Sequence, residues 1–172
     1  MKEPVKFGTD GWRAVIGDTY TFENVRRVSL ATAIVFKNHK NIKNGIVIGY
    51  DTRFLSKEFA HASAEVFASR GIKVLLTDSF VSTPTVSLLA RDKKLAFGVV
   101  ITASHNPYKY NGFKLKDSFG GSMNPEELVL VEKELQHIKT VDGPEPFDSY
   151  IEKGLISYFN GRQYYIDNLK AK

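Results

Sequence analysis

Short apolar runs alternate with segments of helical periodicity along the first 140 residues of the chain. The runs predict β-strands at 12–16, 45–50, 73–77, 96–102 and 111–116. Between them, apolar side chains recur three and four positions apart, which is typical of amphipathic helices. These helices are predicted at 22–40, 57–70, 82–92 and from 124 to about 138.

Capping and turn residues mark the predicted boundaries. Thr21 and Thr83 are the expected N-caps of two helices, and Pro84 takes a tolerated first-turn position in the second of them. Gly120-Gly121 predicts a hairpin tip, and Asn111-Gly112 predicts a turn that needs a positive φ.

Regular alternation of strands and helices predicts an α/β fold, a three-layer αβα domain with a mixed, mostly parallel sheet. We expect this domain to cover residues 1–140. The stretch after Thr140 is rich in proline, glycine and acidic residues, so residues 141–172 are interpreted as a linker and the start of a truncated second domain. Because residues 158–172 carry many apolar side chains, this tail either packs back on the first domain or begins a second one.

Composition narrows the class of protein. The 172 residues include 24 basic and 19 acidic side chains and no cysteine, which excludes disulfides and cysteine-based zinc sites. No apolar run is long enough to span a membrane, and the N-terminal residues lack the apolar core of a secretory signal, so we expect a cytoplasmic protein without membrane contact. The net charge of +5 is spread along the chain, so we expect no nucleic-acid partner.

The segment Ser104-His105-Asn106 offers the most chemistry. It follows the most apolar predicted strand, and ligands of open α/β sheets bind beyond the carboxyl ends of strands. The alternative is that these are turn residues that satisfy backbone groups. A serine hydrolase is disfavoured, because no Gly-x-Ser-x-Gly motif occurs and adjacent Ser and His side chains in extended backbone point apart.

Two further segments carry candidate residues, and the first of them precedes the opening strand and is alternatively a surface β-turn. FGTDGWR, residues 7–13, places Arg13 after two glycines that allow a tight turn or close approach to a ligand, and a guanidinium suits phosphate. GYDTR, residues 49–53, follows a buried strand, and its Asp51 and Arg53 form either an ion pair or part of a site.

Taken together in this order and spacing, FGTDGWR, GYDTR and TASHNP followed by NGFK resemble the first domain of the α-D-phosphohexomutase family, which includes phosphoglucomutases and phosphomannomutases. The resemblance covers roughly residues 7–140. It implies an enzyme that interconverts sugar 1-phosphate and sugar 6-phosphate through a bisphosphorylated sugar.

The resemblance also implies roles for particular residues. Ser104 would carry the phosphoryl group and contact a Mg²⁺ ion whose remaining ligands come from a missing second domain. His105 and Lys114 would serve proton transfer and charge neutralisation, with the general base left open between them. Arg13 would contribute to catalysis and, with Lys114, bind the substrate phosphate, and Arg53 would bind substrate by shaping the site.

No Asp-Gly-Asp element, which the family uses for its metal, occurs in the chain. We therefore expect the first domain of a longer enzyme, inactive as a mutase by itself. The expected partner is a hexose phosphate, and self-association through the apolar tail is an additional possibility. The alternative function is a non-catalytic phosphosugar-binding or interaction module with the same fold.

Overall fold

The computed structural model describes residues 5–8 and 10–171. The strands are β1 (Trp12–Val15), β2 (Ile46–Tyr50), β3 (Val74–Thr77), β4 (Phe97–Ile101), β5 (Tyr110–Asp117) and β6 (Ile156–Phe159). The α-helices are α1 (Phe22–Phe36), α2 (Ser56–Ser69), α3 (Thr83–Asp92), α4 (Pro125–Leu135), α5 (Phe147–Glu152) and α6 (Gly161–Lys170). A short 3₁₀ turn, Ile42–Asn44, precedes β2.

One six-stranded sheet runs in the order β1-β5-β4-β2-β3-β6. The β4–β2, β2–β3 and β3–β6 pairs are parallel, whereas β5 pairs antiparallel with both β1 and β4. Five strands therefore share one direction and β5 opposes them, which confirms the mixed, mostly parallel sheet.

Side-chain alternation along the central strands divides the interior into two layers. Ile46 and Ile48 of β2 join a large cluster that includes buried residues of α1, α2 and α4, while Val47 joins a smaller cluster with α3. Because both faces of the central strands are covered, these strands are apolar at nearly every position. The three-layer αβα fold is confirmed.

Residues 147–171 form part of the same sheet and its helical cover. β6 pairs with β3 over Val74–Thr77, and α6 packs against α3. Tyr164 of α6 contacts Phe159 and donates a hydrogen bond to Asp92 at 3.0 Å. Of the two outcomes expected for the tail, the structure describes packing against the first domain, while the predicted domain boundary near residue 140 stays a prediction.

Several boundaries differ from the sequence prediction. The helix α1 ends at Phe36, not Lys40, because the chain turns there and His39 N–H bonds the Phe36 carbonyl. Ser82, not Thr83, occupies the N-cap of α3, so Pro84 falls one residue further into the first turn. The glycine pair at the hairpin tip is as predicted, with Gly120 at φ +89° and its N–H bonded to Asp117.

The predicted turn at Asn111-Gly112 is wrong, because both residues lie inside β5 and Gly112 has no positive φ. Glycine is required at position 112 for a different reason. A Cβ there would lie 2.5 Å from the Thr102 carbonyl oxygen and 2.8 Å from that of Trp12, so glycine permits three backbones to meet closely.

No described helix combines the length and the apolar character needed to cross a membrane.

Candidate active site

The candidate residues converge at the edge where the parallel strands end. The loop 102–109 follows β4, and the segment 51–55 follows the neighbouring β2. Asp10 and Gly11 directly precede β1, which lies beside β5. The sheet order therefore brings the three segments singled out from the sequence into one region.

Ser104 lies exposed at this edge in a left-handed backbone conformation with φ +56°. Its N–H donates to the hydroxyl of buried Thr102 at 3.0 Å, and its Oγ lies 3.4 Å from Nδ1 of His105. The expectation that these adjacent side chains point apart is wrong, because it assumed extended backbone at Ser104. The positive φ turns the two side chains toward each other.

A carboxylate links the two predicted phosphate-binding cations. Oδ2 of Asp10 lies 2.5 Å from Nζ of Lys114 and 3.4 Å from Nη2 of Arg13. The Lys114 side chain is 6% exposed, whereas that of Asp10 is 44% exposed. The cluster therefore presents an open carboxylate above a buried ammonium.

The same cluster is tied to the Ser104 loop. Nη1 of Arg13 donates to Oδ1 of Asn106 at 2.9 Å, two residues beyond Ser104. Gly11, at φ +97°, allows its segment to approach Lys114 closely, since a Cβ at Gly11 would lie 2.8 Å from Cγ of Lys114. Arg13 thus contacts the Ser104 loop directly, and Lys114 is linked to Arg13 through Asp10.

Arg53 contacts the Ser104 loop from the other side. Its guanidinium donates to backbone carbonyl oxygens within residues 104–110 and forms an ion pair with Asp51 at 3.3 Å. Of the two alternatives for Asp51 and Arg53, an ion pair or part of a site, the structure contains the ion pair.

Beside the loop lies an open cavity of about 520 Å³. Ser104 and Asn106 form part of its wall, together with the strongly exposed rings of Phe54 and Tyr108. Its size falls in the range of small-molecule sites.

Burial raises the pKa of Tyr20, a tyrosine hydrogen-bonded to the backbone of β5. Tyr20 is completely buried, and its hydroxyl donates to the Gly112 carbonyl oxygen at 2.8 Å. Burial, with a smaller contribution from the Asp51 carboxylate, raises the pKa of Tyr20 well above its ordinary value. Tyr20 is therefore a neutral hydrogen-bond donor to the backbone of β5.

A magnesium site is not formed by these residues alone. In the part of the chain that the structure describes, no group of three or more His, Cys, Asp or Glu side chains is arranged to hold a metal ion. The two carboxylates of the region are engaged, Asp10 with Lys114 and Asp51 with Arg53. Ser104 is the one predicted metal contact present, and this donor set does not suffice for a hard divalent cation.

Sequence reasoning missed the part played by Asp10, Asn106 and Ser56. Asp10 and Asn106 stand inside the quoted motifs, so a carboxylate between two glycines was the available signal for Asp10. Ser56 carried none, because it contacts Asp51 and Asn111 only after β2 and β5 have been placed by the fold.

Comparison with known proteins gives a consistent picture. The family model described as "Phosphoglucomutase/phosphomannomutase, alpha/beta/alpha domain I" matches residues 4–142. A phosphoglucomutase of Staphylococcus saprophyticus is 36% identical over 164 residues, which is 91% of this chain and 29% of that enzyme. A phosphoglucomutase of Staphylococcus haemolyticus is 36% identical over 87% of this chain and 27% of its own length.

Solved structures agree with the sequence matches. A crystal structure of a protein assigned as a phosphomannomutase from Thermus thermophilus superposes with a TM-score of 0.85 at 35% identity, covering 99% of this chain and 36% of that one. A phosphoglucomutase/phosphomannomutase family protein from Burkholderia thailandensis gives a TM-score of 0.76 at 22% identity, covering 97% and 35%, which supports the fold alone. This chain thus spans about a third of its relatives or less.

Proposed function

This chain belongs to the phosphoglucomutase/phosphomannomutase family, and we propose that it is the domain that carries the phosphoryl group of a hexose phosphate mutase on Ser104. The observation that carries the proposal is the exposed Ser104 hydroxyl on a loop joined directly to a cluster of two cations. The substrate class is a hexose phosphate, and the expected compartment is the cytoplasm.

Group transfer exchanges one P–O bond for another. The bond between phosphorus and Ser104 Oγ breaks, and a new bond forms between phosphorus and a hydroxyl oxygen of the sugar phosphate. The sugar hydroxyl loses its proton, and the serine oxygen regains one. The reverse exchange at the other end of the bisphosphorylated sugar restores the phosphoserine.

Proton transfer at Ser104 is assigned to His105, because its Nδ1 lies 3.4 Å from the serine Oγ. Charge neutralisation is assigned to Lys114 and Arg13. Lys114 has one carboxylate contact and three N–H donors, so donors remain for phosphoryl oxygens. Arg13 makes two of its five possible hydrogen bonds within the described structure.

Asp10 sets the electrostatics of this pair. In the absence of phosphate, its half-exposed carboxylate occupies the space between the two cations. A phosphoryl group on Ser104, with a charge of about −1.5 to −2, would compete with Asp10 for them. Asp10 thus keeps Lys114 beside Arg13, which is itself bonded to Asn106 of the Ser104 loop.

Sustained mutase turnover requires more than this chain. The magnesium ion implied by the family would neutralise phosphoryl oxygens on Ser104, and its further ligands are expected from a second domain, because the described residues form no cluster of metal ligands. We therefore expect slow, single phosphoryl transfer to this chain from a hexose bisphosphate, without sustained interconversion of sugar phosphates.

Intact-protein mass spectrometry with peptide mapping tests the proposal. After long incubation with glucose 1,6-bisphosphate and Mg²⁺, the chain should gain one phosphoryl group at Ser104, and added glucose 1-phosphate should remove it. The S104A variant should gain none, whereas S157A, which alters an exposed serine of β6, should behave as wild type. Binding of glucose 6-phosphate without any phosphoryl transfer would instead support the non-catalytic phosphosugar-binding module.

A further inference from the structure

Arg53 reaches from the segment after β2 to the backbone of the Ser104 loop. Its Nη2 donates to the carbonyl oxygens of Ser104 at 2.8 Å and Asn106 at 2.6 Å. Its Nη1 donates to the carbonyl oxygens of Pro107 and Tyr110, both at 3.0 Å. A single side chain therefore contacts four carbonyl groups within seven consecutive residues.

These contacts engage all four N–H groups of Nη1 and Nη2. The fifth N–H group of the guanidinium, on Nε, belongs to the nitrogen that forms an ion pair with Oδ2 of Asp51 at 3.3 Å. The Arg53 side chain is only 14% exposed. Binding a substrate phosphate through Arg53 would thus require breaking contacts that hold the loop, which is not so for Arg13 or Lys114.

We infer that Arg53 is a positioning residue, which fixes the conformation of the Ser104 loop and does not bind the substrate. The contacts between Arg53 and the Ser104 loop do not depend on the proposed function. That the residue so positioned is the phosphoryl carrier rests on the proposed function.

The loop needs such support because of the backbone at Ser104. A non-glycine residue at φ +56° is disfavoured, and such residues persist where surrounding contacts fix them. Arg53 holds the carbonyl groups of Ser104 and Asn106, on both sides of His105. The left-handed turn that brings Ser104 Oγ near His105 is therefore held at both ends.

A partly buried polar network in turn orients Arg53. Oδ1 of Asp51 accepts hydrogen bonds from the Arg53 backbone N–H at 2.9 Å and from the Ser56 hydroxyl at 2.8 Å. The Ser56 oxygen accepts from Nδ2 of completely buried Asn111 at 2.9 Å. This network joins the start of α2 to β5, so the guanidinium is anchored to two rigid elements.

Positioning the Ser104 loop requires the planar, forked shape of the guanidinium and not only its positive charge. Four carbonyl oxygens lie around two nitrogens of a planar group, an arrangement that a lysine ammonium does not reproduce from one point. Lysine at this position would keep the positive charge and the proximity to Asp51 while losing most of the loop contacts.

The inference is tested on the 172-residue chain with R53A, R53K and the control R91A. Arg91 is an exposed arginine of α3 paired with its neighbour Asp92. Amide hydrogen exchange by NMR reports the loop through Asn106, whose N–H bonds the Ala103 carbonyl, and the core through Val99 of β4. Titration with inorganic phosphate, followed at the Lys114 amide, reports anion binding.

We expect exchange at Asn106 to become about 10- to 100-fold faster in R53A and R53K than in wild type, because most of the four hydrogen bonds from the guanidinium to the loop backbone are lost. Exchange at Val99 should not change, and R91A should match wild type. Phosphate-induced shifts at Lys114 should persist in R53K. If R53A fails to fold, R53K supplies the same comparison, since it retains the charge.

Unchanged exchange at Asn106 in both variants would overturn the positioning role, as would full recovery of wild-type exchange in R53K. Loss of phosphate-induced shifts with an intact loop would show instead that Arg53 binds the anion. A loosened loop in a chain that never accepts a phosphoryl group would retain the positioning role and reject the proposed function.

Discussion

Replacing Gly112 with alanine should destabilise the domain through a backbone collision. The added Cβ would lie 2.5 Å from the carbonyl oxygen of Thr102 and 2.8 Å from that of Trp12, with Cγ of Arg13 at 3.1 Å. The first two are main-chain atoms next to or within the sheet. The Thr102 N–H also bonds the Gly112 carbonyl oxygen at 2.9 Å, so the strands must separate to make room.

The size of the effect follows from the type of neighbour. Overpacking a well-filled interior costs about 1–3 kcal/mol, and contacts with fixed backbone place G112A in the upper half of that range, about 2–3 kcal/mol. For a domain of this length, that corresponds to a fall in Tm of about 4–12 °C. Because Arg13 and Thr102 border the collision, the Ser104 loop and the phosphate-binding cations should be displaced as well.

Urea denaturation and thermal unfolding by circular dichroism measure the change. Gly143 provides the matched control, since a Cβ there meets nothing within 4 Å and its φ is not positive. G143A should remain within about 0.5 kcal/mol of wild type. The reasoning is refuted if G112A unfolds at the same urea concentration as G143A.

Three smaller changes should also follow from the structure. Y20F removes the hydrogen bond to the Gly112 carbonyl and should cost about 1 kcal/mol in the free energy of unfolding by urea. Burial, together with the charge of Lys57, lowers the pKa of His61. The free energy of unfolding should therefore fall as the pH drops through about 6.5, the pKa of histidine in the unfolded chain. H61Q should reduce that fall, as measured by thermal melts at pH 7 and pH 5. Leu169 is 56% exposed on α6, so the proposed self-association through the tail should weaken in L169E, and sedimentation showing identical monomers for both proteins would contradict it.

The sign of the pH effect at His61 comes from its surroundings. Its ring stacks on Phe147 at 4.3 Å, and its buried Nε2 has no hydrogen-bond partner in the described structure. The folded protein therefore disfavours the protonated ring, while the unfolded chain accepts the proton freely. Between the two pKa values the unfolded state binds more protons, so acidification favours unfolding.

Most of the first 140 residues could be predicted from local patterns. Amphipathic periodicity identified the helices up to α4, and apolar runs identified β1 to β5, because burial on one or both faces imposes a regular spacing. The elements after α4 were missed because their sequences do not show such a regular spacing. β6 has two exposed positions among four residues and is specified mainly by its pairing with β3, which no local pattern reveals.

The candidate site was predictable in its residues but not in its contacts. The motifs supplied Ser104, His105 and Arg13, yet the left-handed turn at Ser104 depends on hydrogen bonds from Arg53, 51 positions away in sequence. Gly112 was predicted to turn the chain, whereas tertiary packing gives it a role in close backbone approach. Such pairings arise only after the sheet has ordered the segments in space.

The central claim is that a phosphoryl group on Ser104 is held by Arg13 and Lys114. It is tested most directly by ³¹P NMR titration of the chain with genetically encoded phosphoserine at position 104. Nearby cations favour the dianion, so its second pKa should lie below the value of about 6 that is usual for phosphoserine, and K114M should raise it again. A pKa at or above the usual value, unchanged in K114M, would contradict the account.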